Sequence, residues 1–261
     1  MKISKKLIAA IGMLMLSTVM LVTSSFAWFS MNEKVEVTNM QVKAVSNQVY
    51  LEISKGDFNN EVLTAINENT VINDCLPINV YESITDGSKT DLDGDSESFV
   101  WGTASGTNIS DASAKDGKYT EVAEFTNAYG YKSTYKLRLN PNAGATDANG
   151  PLWATVTISG ADYESDKFSN CVSVLIVCGD KMVLYKQASP SANATELTAK
   201  IGEDLTDGAF PKYDSENIGG TVKTVNVYVF FDGDNANCTT ANAKVSGTYS
   251  IDIAFSVGAK A

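Results

Sequence analysis

Acidic side chains are the residues of this chain whose spacing most suggests chemistry, because they gather in two short segments. The segments TDLDGDSESF and DGDN carry them at alternating positions: Asp91, Asp93, Asp95, Glu97, Asp232 and Asp234. Calcium prefers such oxygen ligands, so both segments are candidate calcium sites. The first does not follow the EF-hand pattern, because glycine arrives two positions early and Gly102 stands where that loop needs glutamate. A solvated turn is the interpretation that the pattern favours for both segments, and Asp-Gly is a strong turn signal.

Histidine is missing from the whole chain. Its absence excludes Ser-His-Asp and Cys-His catalysis, HExxH metallopeptidase sites and histidine-ligated zinc. A pair of carboxylates, as in glycosidases, is the one catalytic route left, and no spacing singles out such a pair. We therefore predict no catalytic residues and no enzymatic activity. Calcium is the one cofactor that the residue types leave open.

The four cysteines allow two complete sets of disulfides. They are Cys75, Cys171, Cys178 and Cys238. The run CVSVLIVC predicts one extended strand, whose ends would lie about 23 Å apart, whereas a disulfide needs Cα atoms within about 7 Å. That excludes the 171–178 pair and, because the spacing is odd, predicts that these two thiols face opposite sides of the sheet. Pairing 75–171 with 178–238, or 75–178 with 171–238, remains, and buried free thiols are the alternative.

The N-terminal segment predicts export. Lys2, Lys5 and Lys6 precede an apolar stretch over 7–22, and Ser25 and Ala27 fit the −3 and −1 positions of a signal-peptidase site. The apolar stretch is shorter than the ~20 residues that span a bilayer, which argues against an uncleaved anchor. We expect residues 1–27 to be a cleaved signal peptide. The mature protein is then secreted or held at the cell surface, with no stable membrane insertion.

The charge balance argues against polyanionic partners. The chain has 20 basic and 31 acidic residues and a formal net charge of −11, and removal of residues 1–27 takes away three lysines and no acid. Such a surface repels nucleic acid and anionic lipid. We predict that the protein does not bind nucleic acid.

Alternating apolar and polar residues dominate the rest of the chain and predict an all-β fold. Period-two segments bounded by turn residues favour an antiparallel, jelly-roll-like sandwich rather than a parallel sheet. The first strand is predicted within 28–45, with a bulge where its phase slips at Thr38-Asn39. One sandwich domain is predicted over 46–261, with a long polar loop near 84–118. A few short helices are predicted at 59–66, 194–202 and 237–244.

Two segments resemble the exported TasA/camelysin family of Gram-positive bacteria. TSSFAWFSMNEKVEVTNMQVKA is similar to the end of a SipW-type signal peptide, the aromatic pair and the first strand of that family. VNVYVFFDGDNANCTTANA, followed by YSIDIAFSV, resembles clostridial biofilm-matrix members. The resemblance implies a secreted structural subunit of a surface fibre or biofilm matrix that polymerises with itself. Camelysin was named for a metallopeptidase activity, and we do not expect that activity here because the chain has no histidine.

The resemblance also implies assembly by donor-strand addition, in which one subunit's N-terminal strand completes the sheet of the next. The donor arm would be residues 28–37, with Trp28, Phe29, Val35 and Val37 as its apolar side chains. The alternative is an ordinary first strand that folds back on its own domain, because both arrangements need the same alternation. Rival functions are a monomeric surface adhesin or carbohydrate-binding module and, less favoured, a secreted hydrolase.

Overall fold

The computed structural model describes thirteen stretches of the chain. They are residues 34–44, 51–58, 65–73, 75–94, 96–105, 118–139, 151–159, 171–186, 199–202, 205–206, 222–235, 237–238 and 248–257. The predicted signal peptide, with Trp28 and Phe29 after it, lies outside these residues. No helix among the described residues is long and apolar enough to cross a membrane.

Strands make up nearly all of the regular structure in these stretches. Fourteen are present: β1 Lys34–Ala44, β2 Leu51–Ser54, β3 Ala65–Asn73, β4 Asn79–Thr85, β5 Ser88–Asp91, β6 Val100–Ser105, β7 Lys118–Val122, β8 Gly130–Leu139, β9 Leu152–Ser159, β10 Val172–Cys178, β11 Lys181–Lys186, β12 Ala199–Ile201, β13 Lys223–Phe231 and β14 Thr248–Val257. The predicted all-β fold is confirmed.

The strands form three sheets. Sheet A has the order β3-β1-β14-β9, sheet B has the order β12-β11-β10-β13-β8-β2, and sheet C has the order β5-β4-β6-β7. The chain passes from sheet A to sheet B and back several times between β1 and β14, as strands do in a jelly roll. Among the fourteen strands described, pairing is antiparallel except between β1 and β14, which run parallel.

Sheets A and B enclose the main hydrophobic core, and the period-two pattern explains which residues fill it. Alternate residues of a strand point to one face, and most of the predicted inward positions of β8, β9, β13 and β14 are buried. Among them are Tyr135, Leu137, Val156, Val227 and Ile253, each less than 5 % exposed. The sandwich expected from the alternation is therefore confirmed.

Sheet C covers the outer face of sheet B and creates a second core. Trp101 of β6 lies within 5.3 Å of the rings of Phe125, Tyr228 and Phe230, measured between ring centroids. Strands β10 and β13 thus have both faces buried, which accounts for their nearly continuous apolar sequences. Burial of Trp101 leaves its ring packed inside the protein rather than displayed as a sugar-stacking surface.

Two expectations about local structure are corrected. The segment near 84–118 is not one long polar loop, because it includes β5 and β6 and ends where β7 begins. Strand β5 is polar because three of its four residues are exposed. The helices expected at 59–66 and 194–202 end in residues that form the start of β3 and the whole of β12. Sheet edges supply backbone partners there that a short uncapped helix would lack.

The predicted irregularity in the first strand is confirmed. The register of β1 shifts between Val37 and Met40 against β3, and between Val37 and Gln41 against β14. A bulge at this point brings Met40 and Val42 into the core, where both are fully buried.

Candidate functional site

A partly buried ion pair connects sheet C to the turn after β13. The Lys89 ammonium on β5 lies 2.6 Å from Asp234 Oδ2 and 2.7 Å from Asp91 Oδ1. The Asp234 side chain is 13 % exposed, whereas that of Asp91 is 66 % exposed. Asp234 is therefore the more deeply placed partner of Lys89, and Asp91 is a solvated one.

The turn after β13 fixes the position of Asp234. The Asp232 carboxylate accepts a hydrogen bond from the backbone N–H of Asp234 at 2.8 Å, as expected of an Asp-Gly turn. The Gly233 N–H donates to the Ile78 carbonyl at 3.1 Å, and the Ile78 N–H donates to the Phe231 carbonyl at 3.0 Å. These bonds place the turn against the start of β4.

Asn79, the first residue of β4, is the third member of the site. Its side-chain amide donates from Nδ2 to Asp234 Oδ2 at 3.2 Å, and its Oδ1 accepts from the backbone N–H of Val80 at 2.8 Å. Asn79 is 4 % exposed. One carboxylate oxygen thus contacts both the lysine ammonium and the buried asparagine amide.

Two tyrosines surround the ammonium. The Lys89 nitrogen lies 5.1 Å from the ring centre of Tyr81 and 5.4 Å from that of Tyr119, within the range of a cation–π contact. The Tyr119 hydroxyl donates to Asp234 Oδ1 at 3.5 Å. We call Lys89, Asp234, Asn79, Tyr81 and Tyr119 the lysine site.

Burial and charge act in opposite directions on this lysine. Burial disfavours the ammonium, but its hydrogen bonds to Asp234 and Asp91 outweigh that cost and raise the pKa of Lys89 above its ordinary value. Burial, followed by the charges of Asp234 and Asp232, raises the pKa of Tyr81. At neutral pH the site therefore holds Lys89 as an ammonium and Tyr81 as a neutral phenol.

The structure brings together members of the two segments considered for calcium, but Lys89 stands between them. In the first segment, Asp93 pairs with Ser96 in a turn at 3.0 Å, Glu97 is exposed, and Asp95 lies outside the described residues. Within the described part of the chain, no three Asp, Glu, Cys or His side chains are grouped to hold a metal ion. The turn interpretation is confirmed for the second segment, whose two carboxylates serve a turn and an ion pair.

The four cysteines are free thiols in the structure, and all four are buried. Neither predicted set of disulfides is formed. The expectation that Cys171 and Cys178 face opposite sides is wrong, since both lie in the core between sheets A and B. Cys171 stands just before β10, so strand alternation does not govern its direction.

The described part of the proposed donor arm pairs within its own chain. Val35 lies opposite Ile72 of β3, and Val37 lies between Thr70 of β3 and Tyr249 of β14. This is the folded-back arrangement that the sequence left open. Strand β1 consequently lies inside sheet A, with one neighbour on each side.

The sequence did not single out Glu68, which is a buried carboxylate. Glu68 of β3 accepts hydrogen bonds from Tyr135 at 2.6 Å and Ser133 at 3.2 Å, and from Tyr131, all on β8. Lys55, after β2, forms an ion pair with it at 2.7 Å. The glutamate joins an edge of sheet A to sheet B. Only the polar residues on the inward face of β8 hinted at such a partner.

Comparison with known proteins adds no relative. No protein-family model matches the chain, and no curated protein or solved structure matches it either. The resemblance to the TasA/camelysin family therefore remains a hypothesis based on the two segments quoted above.

Proposed function

We propose that this protein is a secreted structural subunit that polymerises into a surface fibre or biofilm matrix by exchange of strand β1 between copies. The observation that carries the proposal is the place of β1 in sheet A. The first described strand of the chain lies between β3 and β14, and residues 45–50 alone link it to the next described strand. Its withdrawal would open a slot within the sheet.

The energetics of such a slot favour refilling it with an identical strand. Met40 and Val42 are fully buried, and exposure of each would cost about 1.5–3 kcal/mol in addition to the lost backbone hydrogen bonds. A second copy's β1 restores the same contacts, so exchange changes the partner and not the interactions. High local concentration then favours chains of subunits over closed monomers.

The direction of the β1–β14 pairing and the timing of signal-peptide cleavage also support exchange of β1. The β1–β14 pair is parallel in a sandwich whose other strand pairs are antiparallel, and parallel ladders are slightly weaker per residue. A signal peptide ending at Ala27 would keep the arm attached to the export machinery until cleavage. Polymerisation would then begin only outside the cell.

Electron microscopy of the secreted fraction by negative stain tests the proposed function. We expect uniform fibres when the mature protein is concentrated, over a range of pH and calcium concentration. A synthetic peptide of residues 28–44 should compete for the slot and shorten the fibres, whereas a scrambled peptide should not. Monodisperse monomers under all conditions would support the adhesin or carbohydrate-binding alternative instead.

A further inference from the structure

The lysine site holds the three groups needed to join two side chains covalently. An amine and a carboxamide both contact one carboxylate oxygen, with Lys89 Nζ at 2.6 Å and Asn79 Nδ2 at 3.2 Å from Asp234 Oδ2. These distances lie within the reach required for proton transfer by a general acid–base. Because they share one oxygen, the two nitrogens lie within about 6 Å of each other.

We propose that Lys89 and Asn79 become linked by an intramolecular isopeptide bond between β5 and β4, with Asp234 carrying the protons. This inference concerns the folded subunit and does not rest on fibre formation.

The atoms and protons of the reaction balance without an added reagent. Asp234 takes a proton from the ammonium, and the freed lone pair of Lys89 Nζ attacks Cγ of Asn79. The new bond joins Nζ to Cγ, and the bond from Cγ to Nδ2 breaks. Asp234 delivers protons from the lysine nitrogen to the departing Nδ2, which leaves as ammonia and is ionised to ammonium in water. Nothing is oxidised or reduced.

The hydrogen bonds of Asn79 suit the roles of its oxygen and its nitrogen in the reaction. Its Oδ1 accepts the backbone N–H of Val80 at 2.8 Å, and this donor stabilises the negative charge that develops on the oxygen as the amine adds. Its Nδ2 faces the group that protonates it on departure. The carboxylate thus serves the nucleophile and the leaving group in turn.

The surroundings of the site limit the access of water to the reacting groups. Asn79 is buried, Asp234 is largely buried, and the rings of Tyr81 and Tyr119 flank the lysine nitrogen. Restricted water access strengthens the electrostatic interactions within the site, and burial by itself disfavours the ammonium form of Lys89, although the hydrogen bonds to Asp234 and Asp91 keep the net pKa of Lys89 above its ordinary value. The fold keeps the reacting groups close to each other, and the bond has to form only once in each molecule. A slow reaction is therefore sufficient.

Mass spectrometry of the purified full chain tests the proposal. Lys55, Lys89 and Lys115 are consecutive lysines, with no arginine among them. Trypsin should leave a linked Lys89 uncut and release peptide 56–115, lighter by about 17 Da through loss of ammonia. Fragmentation should show no cleavage products between Asn79 and Lys89. An adventitious succinimide would lose the same mass but leave Lys89 open to trypsin.

Three variants complete the test. Lys89→Arg keeps the positive charge without a nucleophilic amine, and should restore the calculated mass in a protein with the wild-type circular dichroism spectrum. Asp234→Asn should also abolish the link, whereas Asp91→Asn, at the solvated partner, should retain it. The proposal is overturned if wild-type Lys89 is cut normally, if the mass loss persists in Lys89→Arg, or if about 18 Da is lost instead through a link to Asp234.

Discussion

Glu52 and Arg138 face each other on the neighbouring strands β2 and β8, with Oε2 and Nε 2.5 Å apart. Glu52 is 1 % exposed, and the guanidinium also lies 4.2 Å from the ring centre of Phe58. Arg138, the single arginine of the chain, thus forms a cross-strand ion pair. The carboxylate lies much deeper than a surface pair would place it.

Loss of Arg138 should destabilise the fold strongly, because it leaves a buried negative charge without its cation. We expect Arg138→Met to lower the free energy of unfolding by about 3–5 kcal/mol, and Glu52→Gln combined with Arg138→Met to recover a large part of it. Urea unfolding followed by circular dichroism measures both. A double variant no more stable than Arg138→Met would show that the charge of Glu52 is not the cause of the loss.

Glu68 should stabilise the packing of sheet A on sheet B. Glu68→Ala removes the acceptor shared by Ser133 and Tyr135, and hydrogen bonds to a charged group contribute about 1.5–3 kcal/mol each. We expect a loss at the upper end of that range, and a smaller loss for Tyr135→Phe, which removes one donor alone. If the two variants were equally stable, the other donors to Glu68 would contribute nothing.

Alkaline pH should unfold the protein through its buried tyrosines. Burial raises the pKa of Tyr185 to about 12, and its hydroxyl donates to the Ala154 carbonyl across the sandwich. A folded pKa above the unfolded value of about 10 gives stability that is complete below pH 10 and is lost as pH rises towards 12. We expect the unfolding free energy to fall there by up to about 1.4 kcal/mol per pH unit for this group.

Tyr185→Phe is the matched variant for that measurement. It should lose about 1 kcal/mol at neutral pH through the missing hydrogen bond, yet decline less steeply between pH 10 and 12. Burial also raises the pKa values of Tyr81 and Tyr135, so part of the decline should remain. If the free energy of unfolding fell equally steeply with pH in the variant, the pKa of Tyr185 would be the same in the folded and the unfolded protein.

The four thiols should resist modification until the protein unfolds. All are buried, and burial, followed by the charge of Asp180, raises the pKa of Cys178 despite the opposing effect of Lys223. Since the thiolate is the reactive form, labelling by a thiol reagent should be slow in buffer and should reach four groups per chain in denaturant. Fewer than four groups without a reductant would indicate that disulfides form after export.

Local alternation was sufficient to predict much of the sandwich. In β9, Leu152, Ala154, Val156 and Ile158 are all buried, as the period-two pattern requires. The slip at Thr38-Asn39 likewise predicted the bulge in β1. These features depend on neighbouring residues of one strand, and a single sequence contains that information.

Sheet C and the lysine site could not be predicted in the same way. Strand β5 reads SKTD, with three exposed residues and one half-buried residue, and nothing in it distinguishes a strand from a polar loop. Lys89 and Asp234 are 145 positions apart in the sequence, and their contact depends on where two separate turns meet. The acidic segments drew attention to Asp91 and Asp234, but the cation between them is a lysine of the protein itself.

Deletion of residues 28–37 tests the central claim, assembly through β1, most directly. The truncated chain keeps Met40 and Val42 for its core but lacks the four residues of β1 that pair with Thr70–Asn73. Sedimentation velocity and electron microscopy should then find a folded, soluble monomer that forms no fibres at concentrations where the mature protein polymerises. Fibres of normal appearance from the truncated chain would contradict strand exchange.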